Sequence, residues 1–114
     1  QNLSRAVGER RAKELILTGD VFTSQQAKDW GLVNRVCPTS ELQSIVLEAA
    51  CKIASNGPVA VRQAKQAISR GMQMSLTDGL AFEIEAYNRT IPTQDRREGV
   101  AAFNERRLPN FSGD

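Results

Sequence analysis

"SELQSIVLEAACKIASNGPVAVRQAKQAISRG", residues 40–71, is the stretch on which the fold turns. Leu42, Ile45, Val46, Ala49 and Ile53 recur at three- and four-residue intervals, which places them on one face of a helix. Ser40 with Gln43 three residues later has the spacing of a capping box at its start. Asn56-Gly57 stops that helix, and Pro58, with its preset φ and missing N–H, suits the first turn of the next. In the second helix Val61, Ala64, Ala67 and Ile68 face inward, and Gly71 ends it.

The same punctuation extends in both directions. Upstream, "LSRAVGERRAKELILTGD" breaks at Gly8, carries Ala12, Leu15 and Ile16 at helical spacing, and closes at Gly19. "TSQQAKDWG" opens with a Thr23–Gln26 capping box and ends at Gly31. "LVNRV" alternates apolar and polar residues, so one short strand is expected at about 32–36. A lone strand cannot pair its own edges and must meet a partner or run as an extended linker. Downstream, Ser75 and Asp78 start a helix whose apolar stripe is Leu76, Leu80, Ile84, Tyr87 and Ile91. Pro92 breaks it. Thr93 then caps a last helix, with Asp95 complementing the positive end of its dipole. The class expected is mainly α. The long stripe is larger than its neighbours in sequence can cover, so a further surface is expected against it.

The 114 residues suffice for one domain, and 40% hydrophobic with 25% charged residues is ordinary for a globular protein. A net charge of +2 is too mild for a general nucleic-acid binder, and any basic patch must be local. No apolar run approaches the roughly 20 residues that span a bilayer, and "QNLSRAVGERR" lacks the apolar core of a secretion signal. Without histidine, a Ser-His-Asp arrangement is excluded and the usual zinc ligand sets are depleted; no metal site is expected. Cys37 and Cys51 are too far apart for a C-x-x-C pair and read as two buried free thiols in a reducing compartment.

Catalysis needs a constellation, and the residues alone do not supply one. Glu83 and Glu85, two apart on a helix, point to different sides and cannot work as a paired acid and base. Glu9, Glu14, Glu41, Glu48 and Glu105 fall on solvated faces. The eight glycines stop helices rather than cradle a phosphate. What stands out is "PTQDRREGVAAFNERRLPNF", residues 92–111, which sets Arg96, Arg97, Arg106 and Arg107 around Val100, Ala101 and Phe103. Those arginines are either a solvated face or a place for an anion.

Taken in order, "AKELILTGD", "AKDWGLVNRV", "GPVAVRQAKQAI" and "TIPTQDRREGVAAFNERRLPNF" resemble the C-terminal part of the enoyl-CoA hydratase/isomerase (crotonase) superfamily. The resemblance covers residues 1–114 as one C-terminal helical and trimerisation region of a crotonase-like α/β fold. "GPVAVRQAK", "RGM" and "TIPTQDR" lean toward its methylglutaconyl-CoA hydratase/AU-binding branch. It implies a parent enzyme that adds water to the double bond of an enoyl-CoA thioester, with two glutamates activating the water and two backbone N–H groups holding the thioester oxygen. Those parts are implied to lie upstream of Gln1, so no catalytic residue is expected in this chain. Carried over from the family's "AF-x-x-[KR]", the coenzyme A contacts fall on Phe103, facing the adenine, and Arg106, bonding a phosphate, in a site that a neighbouring subunit can share. The family more often has Lys where Arg106 stands.

The resemblance further implies an acyl-CoA substrate, no resident cofactor, and a homo-oligomer, a trimer or dimer of trimers. The compartment would be the bacterial cytoplasm or the mitochondrial matrix. Phe103 reads equally as core or as ligand platform. Arg96, Arg97 and Arg107 read as ion pairs or solvated groups, and Trp30 and Tyr87 as packing. Two other functions compete for the chain: a non-catalytic oligomerisation module, warranted by the stripe, and binding of AU-rich RNA. Against RNA stand the small net charge and the scarcity of aromatic residues beside the arginines.

Overall fold

The computed structural model describes all 114 residues, Gln1–Asp114, as two compact units, Gln1–Ser44 and Ile45–Asp114. In the first unit, α1 (Asn2–Val7) and α2 (Glu9–Thr18) are separated at Gly8, and α3 (Ser24–Asp29) follows. Gly19 closes α2 at φ 71°, in the left-handed region that glycine enters without strain. The Thr23–Gln26 box caps α3 reciprocally: the Thr23 hydroxyl accepts from the Gln26 N–H, and the Gln26 side chain accepts from the Thr23 N–H. Ala12 and Ala27 are the buried side chains of this unit. Trp30 packs as expected, its ring 5.2 Å from that of Phe22 and under the Arg11 guanidinium at 4.6 Å.

Two local expectations are corrected here. Leu32–Val36 is not a strand; it runs as irregular chain after α3. The N–H groups of Leu32 and Val33 both turn back to the Ala27 carbonyl, so the segment begins as a helix end and never meets a ladder partner. Ser40 does not cap a helix. Thr39–Glu41 form a 3-10 turn in which the Glu41 N–H bonds the Pro38 carbonyl, and α4 (Leu42–Ala54) continues from it. The turn places Ser40 inside helical backbone, where it is no longer the extended residue that an N-cap requires.

In the second unit, α5 (Pro58–Gly71), α6 (Leu76–Asn88) and α7 (Gln94–Glu105) follow the remainder of α4. Pro58 occupies the first turn of α5, and Ser75 and Thr93 cap α6 and α7 by accepting from the N–H groups of Asp78 and Arg96. α5 and α6 pack against each other, and Ala86 of α6 is buried. A Cβ at Gly79 would lie 3.5 Å from the Gly71 carbonyl oxygen, so the two backbones approach closely there. The stripe stays bare: Leu76, Leu80, Ile84, Tyr87 and Ile91 are all exposed, from 42% at Ile91 to 80% at Leu76. Cys51 is exposed and Cys37 half-buried, both as free thiols, which corrects the expectation of two buried ones. No helix is long and apolar enough to cross a membrane.

Candidate functional site

α7 carries the site residues read from the sequence, and it sorts its arginines. Arg96 lies in the first turn, where it donates to the Tyr87 hydroxyl at 3.4 Å. Arg106 caps the other end, ten residues away, or roughly 15 Å along the axis at 1.5 Å per residue. The four arginines therefore make no single patch. Arg107 is committed to carboxylates: its Nη1 and Nη2 donate to the two oxygens of Glu98, and its Nε donates to Glu105 at 2.6 Å. Its ion-pair role was legible in the sequence, and its partners were not.

Phe103 and Arg106 do come together, in the last turn and cap of one helix. Phe103 is 83% exposed, so it is not a core residue in this chain. Arg106 is the one non-glycine residue with positive φ, at φ 55° and ψ 38°. Its N–H bonds the Phe103 carbonyl, while the Arg107 N–H reaches the Ala102 carbonyl at 3.0 Å, the wrapped bond that closes a helix through a left-handed residue. Glycine or asparagine usually occupies such a place because a Cβ crowds the following carbonyl. Arg106 holds it with neither advantage.

Beyond the corner the chain turns back along α7 and is fastened at two carboxylates. Glu98 accepts from the Asn110 N–H at 2.7 Å in addition to Arg107. These bonds hold its carboxyl far below the usual range, from 4.5 down to about 2, with Arg107's hydrogen bonds the largest cause and the Asn110 N–H the next. Arg107 is correspondingly raised by Glu98 and then Glu105. Asp95, one turn earlier and 5% exposed, accepts from the N–H groups of Ser112 and Gly113. The Asp114 carbonyl returns the favour, taking the free Gln94 and Asp95 N–H groups at the start of α7. Sequence reasoning saw Asp95 only as a dipole partner and missed Glu98. A carboxylate's partner 12 or 17 residues away leaves no periodic mark; the one available signal was the Asp95-x-x-Glu98 spacing opposite a Pro-Asn-Phe-Ser-Gly return.

A second feature lies between α5 and α6. A groove of about 470 Å³ is walled by Ala64, Ala67, Ile68, Ala86 and Tyr87, with Gln63, Glu83 and Thr90 among its polar members. The Gln63 side-chain oxygen is shut from water and has no hydrogen-bond partner. Tyr87 is 55% exposed on this wall, so it is not the packed core residue that its spacing suggested. Helical packing of small residues leaves this trough because alanines cannot fill the space between the two helices.

A family model described as enoyl-CoA hydratase/isomerase matches residues 1–114. The crystal structure of an enoyl-CoA hydratase from Bacillus anthracis superposes with a TM-score of 0.97 at 51% identity, over 100% of this chain and 44% of that one. The chain is 47% identical to the short-chain-enoyl-CoA hydratase of Clostridium acetobutylicum, covering 94% of this chain and 41% of the relative. It is 42% identical to the human mitochondrial methylglutaconyl-CoA hydratase, covering 100% of this chain and 35% of the relative. The chain thus spans less than half the length of these relatives. The methylglutaconyl lean gains little, since a short-chain hydratase is at least as similar.

Proposed function

The chain belongs to the enoyl-CoA hydratase/isomerase family, and on that premise we propose that it is the C-terminal part of an enzyme that adds water across the double bond of an enoyl-CoA thioester. The addition forms C–O and C–H bonds with no net redox change, so paired carboxylates and oxyanion donors suffice and no resident cofactor is needed. In this reading those groups belong to the upstream part of the protein, and the 114 residues alone do not turn over substrate. Their share is the coenzyme A portion: Phe103 offers its exposed face to the adenine, and Arg106 bonds a phosphate. The observation that carries this is the Phe103–Arg106 corner itself. An aromatic ring is left in water three residues before an arginine that holds a left-handed backbone, and strain of this kind concentrates at functional positions. With bacterial and mitochondrial relatives, the compartment follows the organism: cytoplasm in one case, matrix in the other.

In the complete protein, Arg106→Ala should raise KM for an enoyl-CoA roughly tenfold and leave kcat nearly unchanged, because a remote phosphate contact is made equally in ground and transition states. Arg97→Ala on the same helix should leave both constants alone. Steady-state kinetics that show the two variants behaving alike, or a fall in kcat with KM intact, would remove Arg106 from the coenzyme A site. The bare α6 stripe favours a compatible second role, contact between subunits of a homo-oligomer. The separation of Arg96 from Arg106 by the length of α7 works against a continuous RNA-binding surface.

A further inference from the structure

The corner at Arg106 is held from behind, and the holding groups are not those that would meet a ligand. Arg106 bears the left-handed φ; its neighbour Arg107 reaches back two turns of α7 and grips both oxygens of Glu98. The same carboxylate takes the Asn110 N–H, so the chain is tied to one point both directly after the corner and three residues later. A planar guanidinium on a carboxylate in this two-bond arrangement fixes direction as well as distance, which a single contact does not. Glu105 takes the remaining Nε proton of Arg107 and prevents the side chain from swinging away. The Arg107 N–H to Ala102 carbonyl bond already favours the left-handed corner, and these side-chain ties add to it; without them the last turn of α7 would be freer to relax toward the right-handed form, redirecting the Arg106 side chain.

We propose that Glu98, acting through Arg107, is a positioning residue that sets the aim of Arg106 and Phe103 toward the coenzyme A portion of the substrate. The proposal rests on the reading that this corner meets coenzyme A. Glu98 itself is half-buried with its oxygens occupied by Arg107 and Asn110, so it touches no substrate. Its depressed pKa agrees with a pair that stays charged throughout the neutral range.

The test is a double-mutant cycle in the complete protein, read as KM and kcat for an enoyl-CoA and as the dissociation constant of free coenzyme A by calorimetry. Glu98→Gln should raise KM and the dissociation constant roughly fivefold, less than Arg106→Ala, with kcat nearly unchanged. In the Arg106→Ala background, where only Phe103 is left to aim, Glu98→Gln should have a clearly smaller effect than in the wild type. Arg107→Lys keeps the charge but loses the paired geometry and should give the same pattern, which keeps the test alive if Glu98→Gln does not fold. An equal effect of Glu98→Gln in both backgrounds would overturn the positioning role and leave the coenzyme A reading standing. So would unchanged KM for both Glu98→Gln and Arg107→Lys, or a fall in kcat of either variant matching its change in KM. If Arg106→Ala itself leaves KM and the dissociation constant alone, the coenzyme A reading falls first and the positioning role with it.

Discussion

The returning tail beyond α7 and the outer face of α6 belong to the same unit and treat burial in opposite ways. Along the tail, polar groups close on one another: two carboxylates accept from Arg107 and from the N–H groups of Asn110, Ser112 and Gly113, and the Asp114 carbonyl accepts from the start of α7. These polar groups ask for no further partner, although Leu108 stays exposed. Along α6, four large side chains at helical spacing stand in water, and Ile91 just beyond the helix joins them. Hydrogen bonds are directional and can be completed within some twenty residues, whereas an apolar stripe is satisfied only by area, which a hairpin of alanine-rich helices does not possess. Self-sufficiency in this chain follows the chemistry of the contact rather than its place in the sequence.

The comparison is broken most directly at the stripe. In the complete protein, Leu80→Asp with Ile84→Asp should weaken self-association at least about a hundredfold, since each side chain's burial is worth roughly 1.5–3 kcal/mol and a buried carboxylate adds a penalty. Sedimentation velocity across a dilution series would show it. Unchanged association would mean that the stripe faces something other than a second subunit.

The tail should respond to a smaller change. Asp95→Ala leaves the Ser112 and Gly113 N–H groups without their acceptor and removes a charge from the positive end of α7, for a loss of about 1–3 kcal/mol. Thermal melts of the complete protein would record the drop, and the Ser112 and Gly113 amides should exchange hydrogen faster. If those amides stay protected, the clasp is held by Phe111, whose ring lies beside Gly99, and the carboxylate is incidental.

These two regions were also unequally legible in the sequence. Gly8, Gly19, the Thr23–Gln26 box, Pro58, Ser75 and Thr93 act on neighbours within four residues, so their letters announce what they do. The stripe was equally plain, because period 3.6 is written in the spacing of Leu80, Ile84 and Tyr87. Leu32–Val36 misled because alternation records only which faces a strand would present, while a strand exists only by virtue of a partner. Ser40 misled because Pro38, two residues earlier, set up a competing turn. Phe103 and Arg106 were singled out through resemblance, and the left-handed backbone of Arg106 was not foreseeable, since such a corner normally declares itself by glycine. Glu98 and Asp95 stayed hidden because their partners come from a return of the chain that no local rule describes.

A titration sharpens the polar side of the comparison. Glu98 has its carboxyl lowered from 4.5 to about 2 by Arg107 and then by the Asn110 N–H. A lowered folded-state value contributes stability that is complete above the unfolded value and disappears as pH falls from 4.5 toward 2. The stability gap between the wild type and Glu98→Gln should therefore be constant above about pH 5 and close as acid is added. Denaturant melts at a series of pH values would show this. A gap that stays open at the acid end would locate the effect of Glu98 in packing rather than in charge.

The smallest effect expected is also of unusual sign. Arg106→Gly removes the Cβ that makes φ 55° unfavourable, and glycine is the residue that closes helices in this way. Glycine also frees the unfolded chain, which offsets part of the gain, so the net change should be an increase in stability between zero and about 1 kcal/mol. The same substitution deletes the guanidinium and should raise KM for an enoyl-CoA as Arg106→Ala does. A variant that is no less stable yet binds coenzyme A less well would show that the strain is kept for the side chain it presents. A clear loss of stability in Arg106→Gly would mean that Arg106 makes stabilising contacts of its own, and the contrast between a closed tail and an open corner would then dissolve at this residue.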